Sequence, residues 1–193
     1  MFRKNNLQFA GMCGTILLYF KHERQTKRMH KPQKTNAMRQ LDAAGIPYEA
    51  KEYEYDESDL SGLHIAKSIG LDPDIVFKTL VARGDKTPYV VFCIPCAYEL
   101  DLKKCARVTG NKRIELVAVK ELLNLTGYIR GGCSPIGMKK SFPTYIDETA
   151  LLFDKITVSA GVRGIQLYLD PKTLIGFLHA ETGDLTEFTE ITD

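Results

Sequence analysis

The stretch GYIRGGCSPIGMKK, residues 127–140, places a cysteine and a serine among glycines and lysines. It could seat a nucleophile, cradle a phosphate or form the wall of a pocket. A cysteine or serine nucleophile needs a base such as histidine within hydrogen-bond reach, and no histidine lies within forty residues of Cys133 or Ser134. His64 and His179 could approach in the fold, but their helical spacing is typical of surface or core residues. The sequence therefore disfavours a protein nucleophile.

The same stretch does not fit a phosphate-binding P-loop. That motif needs a lysine directly after its second glycine, and here Met138 follows Gly137. A pocket wall remains, because Gly131 and Gly132 leave the backbone uncovered and Pro135 stiffens it. Backbone N–H groups in such a loop can bind a carbonyl oxygen, as an oxyanion hole requires. The alternative is a structural turn between a helix and a strand.

Helical and strand patterns surround this loop without a strict βαβ repeat. They predict an α+β fold in one compact domain, built around one mixed sheet. Helices are predicted over residues 35–45, 62–69, 99–110, 118–127 and 171–180, and strands over residues 46–56, 76–82, 87–95, 113–117, 143–148, 155–161 and 164–169.

The composition indicates a soluble protein with one localised basic region. The chain has 193 residues, 44% of them hydrophobic and 26% charged, and no apolar run approaches the roughly 20 residues of a membrane span. Residues 101–140 carry nine Lys or Arg against three acids. This excess predicts a surface that holds a polyanion at a defined place. The alternative is a solvated surface that binds nothing.

The first 31 residues do not read as part of the domain. Residues 7–20 are apolar and a basic run follows them. The length fits the apolar part of a signal peptide, but no small-residue cleavage site follows. We expect translation to begin at Met29, with residues 1–31 as a leader outside the domain and residues 32–193 forming it. An intact mass that includes Phe2 would contradict this expectation.

The five cysteines favour reduced thiols in the cytoplasm. Their number is odd and their spacing irregular, unlike a disulfide framework. The CIPC run, Cys93 to Cys96, has the spacing of thiol oxidoreductases, but Cys93 lies inside an apolar run and Pro95 follows, so redox chemistry is disfavoured. A zinc site is also disfavoured, because no second C-x-x-C pair or histidine pair has ligand spacing. We expect neither metal nor cofactor.

Two further segments could converge with the loop on one cleft. Lys78 occupies the apolar phase of a predicted strand, where an unpaired ammonium is costly to bury. It either extends to solvent at an edge or points into a pocket as a positive charge for a phosphate, carboxylate or oxyanion. Residues 158–167 end a strand with Ser159, two glycines and Arg163.

Five segments together resemble a known family. VFKTLV, ELDLKKCARVTG, TGYIRGGCSPIGMKK, PTYIDE and VSAGVRGIQL, in this order, are similar to the YbaK/EbsC family of trans-editing aminoacyl-tRNA deacylases. That family is related to the editing domain inserted in bacterial prolyl-tRNA synthetases. The resemblance covers residues 32–190 and implies a mixed sheet that forms a partly closed barrel with surrounding helices. It also implies removal of Cys from mischarged tRNA(Pro), with some action on Cys-tRNA(Cys), and makes prolyl-tRNA synthetase a candidate partner.

The resemblance assigns roles to particular residues. Lys78 matches the functional lysine, and the glycine loop matches a pocket wall whose Gly131 and Gly132 amides we expect to face the substrate carbonyl. Two positions depart from the family: Cys133, and Gln166, where some members carry an acid. The expected substrate-binding residues are Tyr53, Thr79, Ser134, Pro135, Gly137, Ser159, Gly161 and Arg163, and the expected contacts to the tRNA backbone are Lys103, Lys104, Arg107, Lys139 and Lys140.

The chemistry implied by the resemblance needs no protein nucleophile. A cysteinyl ester carries its own thiol, which can attack the carbonyl and release the tRNA with a thiolactone. One alternative is a deacylase of the same fold that removes Ala or another small residue with water. Others are a non-catalytic module that binds tRNA or a synthetase, and a redox protein that uses Cys93 and Cys96.

Overall fold

A computed structural model describes residues 34–187. The predicted leader and the start at Met29 lie outside these residues, and the domain boundary stays a prediction. The helices are α1 (Asn36–Ala43), α2 (Gly62–Ile69), α3 (Leu102–Val108), α4 (Val119–Thr126) and α5 (Pro171–Leu178). The strands are β1 (Glu49–Glu52), β2 (Phe77–Gly84), β3 (Val90–Pro95), β4 (Ile114–Leu116), β5 (Thr144–Asp147), β6 (Ile156–Ser159), β7 (Ile165–Leu169) and β8 (Glu181–Gly183).

Local sequence signals set the helix ends. The Thr35 side chain accepts a hydrogen bond from the amide of Met38 at the start of α1, and Ser61 accepts one from His64 at the start of α2. Each bond satisfies an amide that has no partner inside its helix. Gly70 ends α2 in the left-handed conformation, which glycine adopts without a steric penalty.

The strands form two sheets that together make a partly closed barrel. The larger sheet has the order β4-β2-β3-β5-β8, and the smaller has the order β1-β7-β6. The pairs β3–β5 and β5–β8 are parallel and the other strand pairs are antiparallel. A single bridge between Val76 and Thr157 links the two sheets. The predicted α+β fold is confirmed, and its mixed sheet is divided in two.

Two apolar cores lie on opposite faces of the larger sheet. Phe77 and Val81 of β2 belong to the core that also contains Leu167 of the smaller sheet. Ala82 of β2 belongs to the core beneath α3, together with Phe92. Side chains alternate between the faces of a strand, so Lys78 and Thr79 project to opposite sides of β2.

One edge of β2 is open for part of its length. Strand β4 pairs with β2 only from Ala82 to Gly84, and the amide of Val117 donates to the carbonyl oxygen of Val81. The bridge at Val76 precedes β2. Within residues 34–187, no strand pairs with the segment 77–80 on this edge. This opening in the barrel holds the candidate site.

Three local features differ from the sequence predictions. The strand predicted over residues 46–56 forms only as β1, because the chain then turns at a bridge between Asp56 and Asp59. Two short 3-10 helices, Pro73–Ile75 and Glu148–Leu152, were not predicted. Strand β8 was not predicted either, because Glu and Gly in its Glu-Thr-Gly sequence are rare in strands. This strand pairs with β5.

Candidate active site

A cavity of about 490 Å³ occupies the opening beside β2. This volume is within the range of ordinary small-molecule sites. Five parts of the chain contribute its walls: the start of α2 with the residues before it, the open part of β2, the segment after β3, the start of α4 with the residues before it, and the glycine loop. Ser159 and Gln166, from β6 and β7, complete the lining.

Lys78 supplies a positive charge to this cavity. Its Nζ atom donates to Oε1 of Glu99 at 2.7 Å, and both residues line the cavity. The side chain of Lys78 is 23% exposed and that of Glu99 is 79% exposed. A pair with one highly exposed partner contributes little stability. An anionic group of a ligand can therefore replace the Glu99 carboxylate at low cost.

Thr79 lines the cavity on the other face of β2, beside two buried thiols. Its Oγ1 atom lies 3.8 Å from Sγ of Cys93, and Cys133 also lines the cavity. Burial raises the pKa of Cys93 to about 12 and that of Cys133 to about 12. Both thiols are therefore neutral near pH 7. Because the thiolate is the nucleophilic form, this environment does not activate Cys133.

The two central glycines of the loop have different surroundings. Gly131 lines the cavity with φ +82°, and a Cβ atom there would lie 3.2 Å from both methyl groups of Leu60. The Gly131 amide has no hydrogen-bond partner among residues 34–187. The amide of Gly132, in contrast, donates to the carbonyl oxygen of Ile129 at 3.0 Å. The Gly132 amide would have to give up this bond to face a substrate carbonyl, and its expected role stays a prediction.

Ser134, Pro135 and Gly137 lie behind the cavity wall and do not line it. The Ser134 hydroxyl accepts a hydrogen bond from the amide of Ile136, and the carbonyl oxygen of Gly137 accepts one from Asn36. These bonds anchor the loop to itself and to α1. The hydrogen bonds of Ser134 and Gly137 are thus structural, and the prediction that these three residues contact substrate stays a prediction.

Tyr53, Gly161 and Arg163 also lie outside the cavity lining. The Tyr53 amide donates to the carbonyl oxygen of Gly164. Arg163 donates to Glu57 at 2.8 Å and to the carbonyl oxygen of Arg130 at 3.1 Å. It thus ties the segment before α2 to the glycine loop. The contacts seen for Tyr53 and Arg163 support the walls, and the expected substrate contacts of these three residues stay predictions.

Ser159 and Gln166 face each other across β6 and β7 and both line the cavity. The Ser159 hydroxyl accepts a hydrogen bond from the amide of Gly161. Gln166 is 3% exposed, and its buried Oε1 atom has no hydrogen-bond partner within residues 34–187. A buried acceptor without a partner costs about 1–3 kcal/mol, and a donor from a bound ligand would remove that cost. Gln166 was not among the predicted site residues, although a polar residue inside an apolar strand was a signal that could have indicated it.

The five side chains predicted to contact the tRNA backbone differ from one another in their contacts within the protein. Lys104 donates to Asp184 and to the carbonyl oxygen of Thr186, both at 2.8 Å. Lys139 lies 3.4 Å from the carbonyl oxygen of Leu123. Their charges are thus directed at the protein's own acceptors. Lys103 and Arg107 line a second cavity, and Lys140 is exposed.

The described residues hold neither a histidine in the cavity lining nor a group of three His, Cys, Asp or Glu side chains that could bind a metal. His64 Nδ1 lies 3.5 Å from an Asp59 carboxylate oxygen. Burial raises the pKa of Cys96 to about 11, and its thiol donates to the carbonyl oxygen of Pro73. These surroundings further disfavour redox work by Cys93 and Cys96.

No helix among residues 34–187 is long and apolar enough to cross a bilayer.

Comparison with known proteins assigns the family. The family model described as an aminoacyl-tRNA editing domain matches residues 63–177. The chain belongs to this family. A protein of Enterococcus faecalis named as a candidate Cys-tRNA(Pro)/Cys-tRNA(Cys) deacylase, EbsC, is 47% identical over 154 residues, which cover 80% of this chain and 94% of that protein.

Two further proteins are similar to this chain. This editing domain matches the crystal structure of a candidate trans-editing enzyme for prolyl-tRNA synthetase, with a TM-score of 0.70, 25% identity, and coverage of 79% of this chain and 95% of the other. A protein of Bacillus subtilis without an assigned function, YwhH, is 26% identical over 64% of this chain and 78% of its own length. The resemblance drawn from the sequence is confirmed.

We expect the editing domain to keep its activity when Cys133 is replaced by alanine. The thiol is neutral and lacks a base, so it takes no part in the chemistry. The measurement is the deacylation rate of Cys133→Ala under single-turnover conditions, expected within about twofold of wild type because most point changes away from chemistry are mild. A loss of activity with an unchanged melting temperature would assign chemistry to Cys133.

Proposed function

We propose that this editing domain is a trans-editing deacylase that removes cysteine from mischarged tRNA(Pro) and also acts on Cys-tRNA(Cys). The observation that carries the proposal is a cavity with a positive charge at Lys78 and, among residues 34–187, no nucleophile paired with a base in its lining. Such a site suits a substrate that brings its own nucleophile. The name of the Enterococcus faecalis relative agrees with this substrate.

The substrate thiol performs the attack in this proposal. Its sulfur bonds to the ester carbonyl carbon, the bond from that carbon to the ribose oxygen breaks, and the thiol proton passes to the departing ribose oxygen. The products are free tRNA and the four-membered thiolactone of cysteine, which water then opens. No cofactor is consumed. The protein's contribution is to hold the ester bent and to stabilise the charge on the carbonyl oxygen.

Lys78 and Gly131 have the clearest roles. The Lys78 ammonium leaves Glu99 and binds the phosphate or ribose region of the terminal adenosine, which aligns the ester. The unpaired amide of Gly131 donates to the carbonyl oxygen as negative charge develops. Gly131 has no side chain to cover this part of the backbone. A Cβ atom there would also contact Leu60. Thr79 and Ser159 shape the wall around the amino-acid side chain.

The unpaired oxygen of Gln166 favours a second candidate function. Together with the nearby Ser159 hydroxyl, it could hold a water molecule against the ester. A deacylase for Ala-tRNA(Pro), or for another small residue, would use that water in place of the substrate thiol. The fold and the cavity would be the same in both cases.

The partners follow from this activity. The substrate is the acceptor end of aminoacyl-tRNA, and the protein acts in the cytoplasm, where tRNA is charged. Prolyl-tRNA synthetase is the proposed source of the mischarged tRNA. The likeness to a candidate trans-editing enzyme for that synthetase supports this choice.

A comparison of three esters tests the proposal. Cysteinyl, alanyl and 2-aminobutyryl esters of tRNA(Pro) are incubated with sub-stoichiometric enzyme, and the released product is identified by mass. We expect thiolactone from the cysteinyl ester and release near background from the other two. The 2-aminobutyryl ester is the matched control, because it has nearly the same shape but no thiol. Comparable release from that ester would contradict thiol attack, and preference for alanyl would favour the water route.

A further inference from the structure

A second cavity forms a basic groove between α3 and the start of β4. Its volume is about 410 Å³, and no acidic side chain contributes to its lining. We name this feature the basic groove, and four exposed cations define it: Lys103, Arg107, Lys112 and Arg113. A cavity with several cations and no acid attracts an anion.

Most of these cations are available for a ligand. Within residues 34–187, the side chains of Lys103, Arg107 and Lys112 have no ion-pair partner, and Arg113 has a single contact of 3.4 Å with Glu115. Two other acids lie nearby. Asp101 caps α3, and its Oδ1 atom accepts the backbone amides of Lys103 and Lys104. Asp85 lies at the turn before β4. Its Oδ1 atom accepts the backbone amides of Lys112 and Arg113, bonds that lower the pKa of this carboxyl. Asp85 therefore fixes the turn without pairing with these side-chain charges.

The turn that presents the groove is held from inside. Asn111 is buried, and its side-chain oxygen accepts the backbone amides of Lys86 and Thr87 at 2.8 and 3.0 Å. Its amide nitrogen donates to the Thr109 hydroxyl at 2.8 Å. This network orders the backbone between α3 and β4, so binding there does not require folding of the turn.

The basic groove adjoins the active-site cavity at two places. Ile114 lines the groove and Leu116 lines the cavity; residues two apart project from the same face of a strand and lie about 7 Å apart. Glu99, the partner of Lys78, lines the cavity, and Leu102 lines the groove three residues later, a span of at most about 11 Å. Lys78 itself lies farther from the groove, because Ile114 pairs with Gly84, six residues along β2 from Lys78, which is about 20 Å. A stacked strand rises about 3.4 Å per nucleotide, so about six nucleotides span this distance.

We propose that the basic groove binds backbone phosphates of the RNA strand that leads to the esterified terminal nucleotide. The inference rests on the proposed function and specifies how its substrate is held. Lys78 then contacts the terminal nucleotide, and Arg107 and Lys112 contact the phosphates before it. The contacts are made to phosphate and carry no base sequence, so the groove positions any acceptor end without selecting the tRNA.

The test uses a double variant with a matched control. Arg107→Gln with Lys112→Gln removes two groove charges, and Lys155→Gln with Lys172→Gln removes two exposed charges that line neither cavity. Three quantities are measured: kcat/KM for cysteinyl-tRNA, kcat/KM for 3′-cysteinyl-adenosine, which lacks these phosphates, and the affinity for an unesterified single-stranded RNA with the 3′ end of tRNA, by fluorescence anisotropy.

We expect the groove variant to lose about tenfold in RNA affinity and in kcat/KM for cysteinyl-tRNA at 0.1 M salt. Its plot of log affinity against log salt should be shallower by about 1.4, since each phosphate contact contributes about 0.7 for a single strand. Its activity on cysteinyl-adenosine should match wild type, and the control variant should match wild type throughout.

Other results separate the two proposals. RNA binding by the groove variant equal to that of the control would overturn the groove proposal, whatever the deacylase activity. An equal loss on cysteinyl-adenosine would also contradict it, because the residues would then act on the cavity. If wild type cleaves none of the esters while RNA binding still depends on the groove, the proposed function fails and the groove stands as an RNA-binding site.

Discussion

Replacement of Lys78 by alanine is expected to lower kcat/KM for Cys-tRNA(Pro) deacylation by about 100-fold. The ammonium lines the cavity and, among the residues that the structure describes, pairs only with the exposed Glu99, so a substrate anion can take that place. A hydrogen bond to a charged group contributes about 1.5–3 kcal/mol, and each 1.36 kcal/mol corresponds to a tenfold change in rate. Single-turnover deacylation with excess enzyme measures the effect.

Lys51 provides the matched control for this experiment. It is also an ion-paired lysine on a strand, with a side chain 29% exposed, but it does not line the cavity. We expect Lys51→Ala to deacylate at the wild-type rate and Lys78→Arg to recover part of the lost activity. A wild-type rate for Lys78→Ala would remove this lysine from the mechanism. Equal losses in Lys51→Ala and Lys78→Ala would indicate a general effect of charge.

Replacement of Gly161 by alanine is expected to lower the free energy of unfolding by about 3 kcal/mol. Gly161 has φ +89°, and a Cβ atom there would lie 2.7 Å from Cε1 of Tyr128. The left-handed backbone costs a residue with a side chain about 1–2 kcal/mol, and overpacking adds about 1–3 kcal/mol. The Tyr128 ring cannot easily move, because it is buried and its hydroxyl donates to the carbonyl oxygen of Ile136 at 2.6 Å.

Gly45 separates the two causes of this loss. It also has a positive φ, +68°, but a Cβ atom there would have no neighbouring atom within 4 Å. Gly45→Ala should therefore lose only the backbone contribution, about 1 kcal/mol. Urea unfolding of both variants gives the comparison. Equal losses would show that the Tyr128 contact is unimportant, and a stable Gly161→Ala with a raised KM would restore the predicted substrate contact.

The sequence predicted the parts of the active site that depend on strand position. Lys78 and Thr79 follow one another in β2, and both line the cavity. Ser159 ends β6 and lines it as well. These residues occur in motifs with a clear strand pattern. Successive side chains of a strand point to opposite faces, so the sequence indicates which residues of a strand share a face.

The sequence was less successful within the loops, where residue type does not reveal direction. Gly131 and Gly132 are adjacent and identical, yet one amide lacks a partner among residues 34–187 and the other bonds to Ile129. Arg163 was expected to contact substrate and instead bonds to Glu57 and to the backbone of Arg130. Hydrogen-bond direction depends on the path of the backbone, and periodicity carries no information about that path.

The sequence by itself determined the α+β fold class and the family, and it singled out Lys78 and disfavoured a protein nucleophile. Apolar periodicity and residue chemistry are local properties, which the sequence displays directly. The tertiary structure decided where the barrel opens, because β4 pairs with β2 only from Ala82 onward. It also decided that Gln166 lines the cavity and that four cations from α3 and the turn before β4 line one groove. These features join segments far apart in the chain, and only packing brings them into contact.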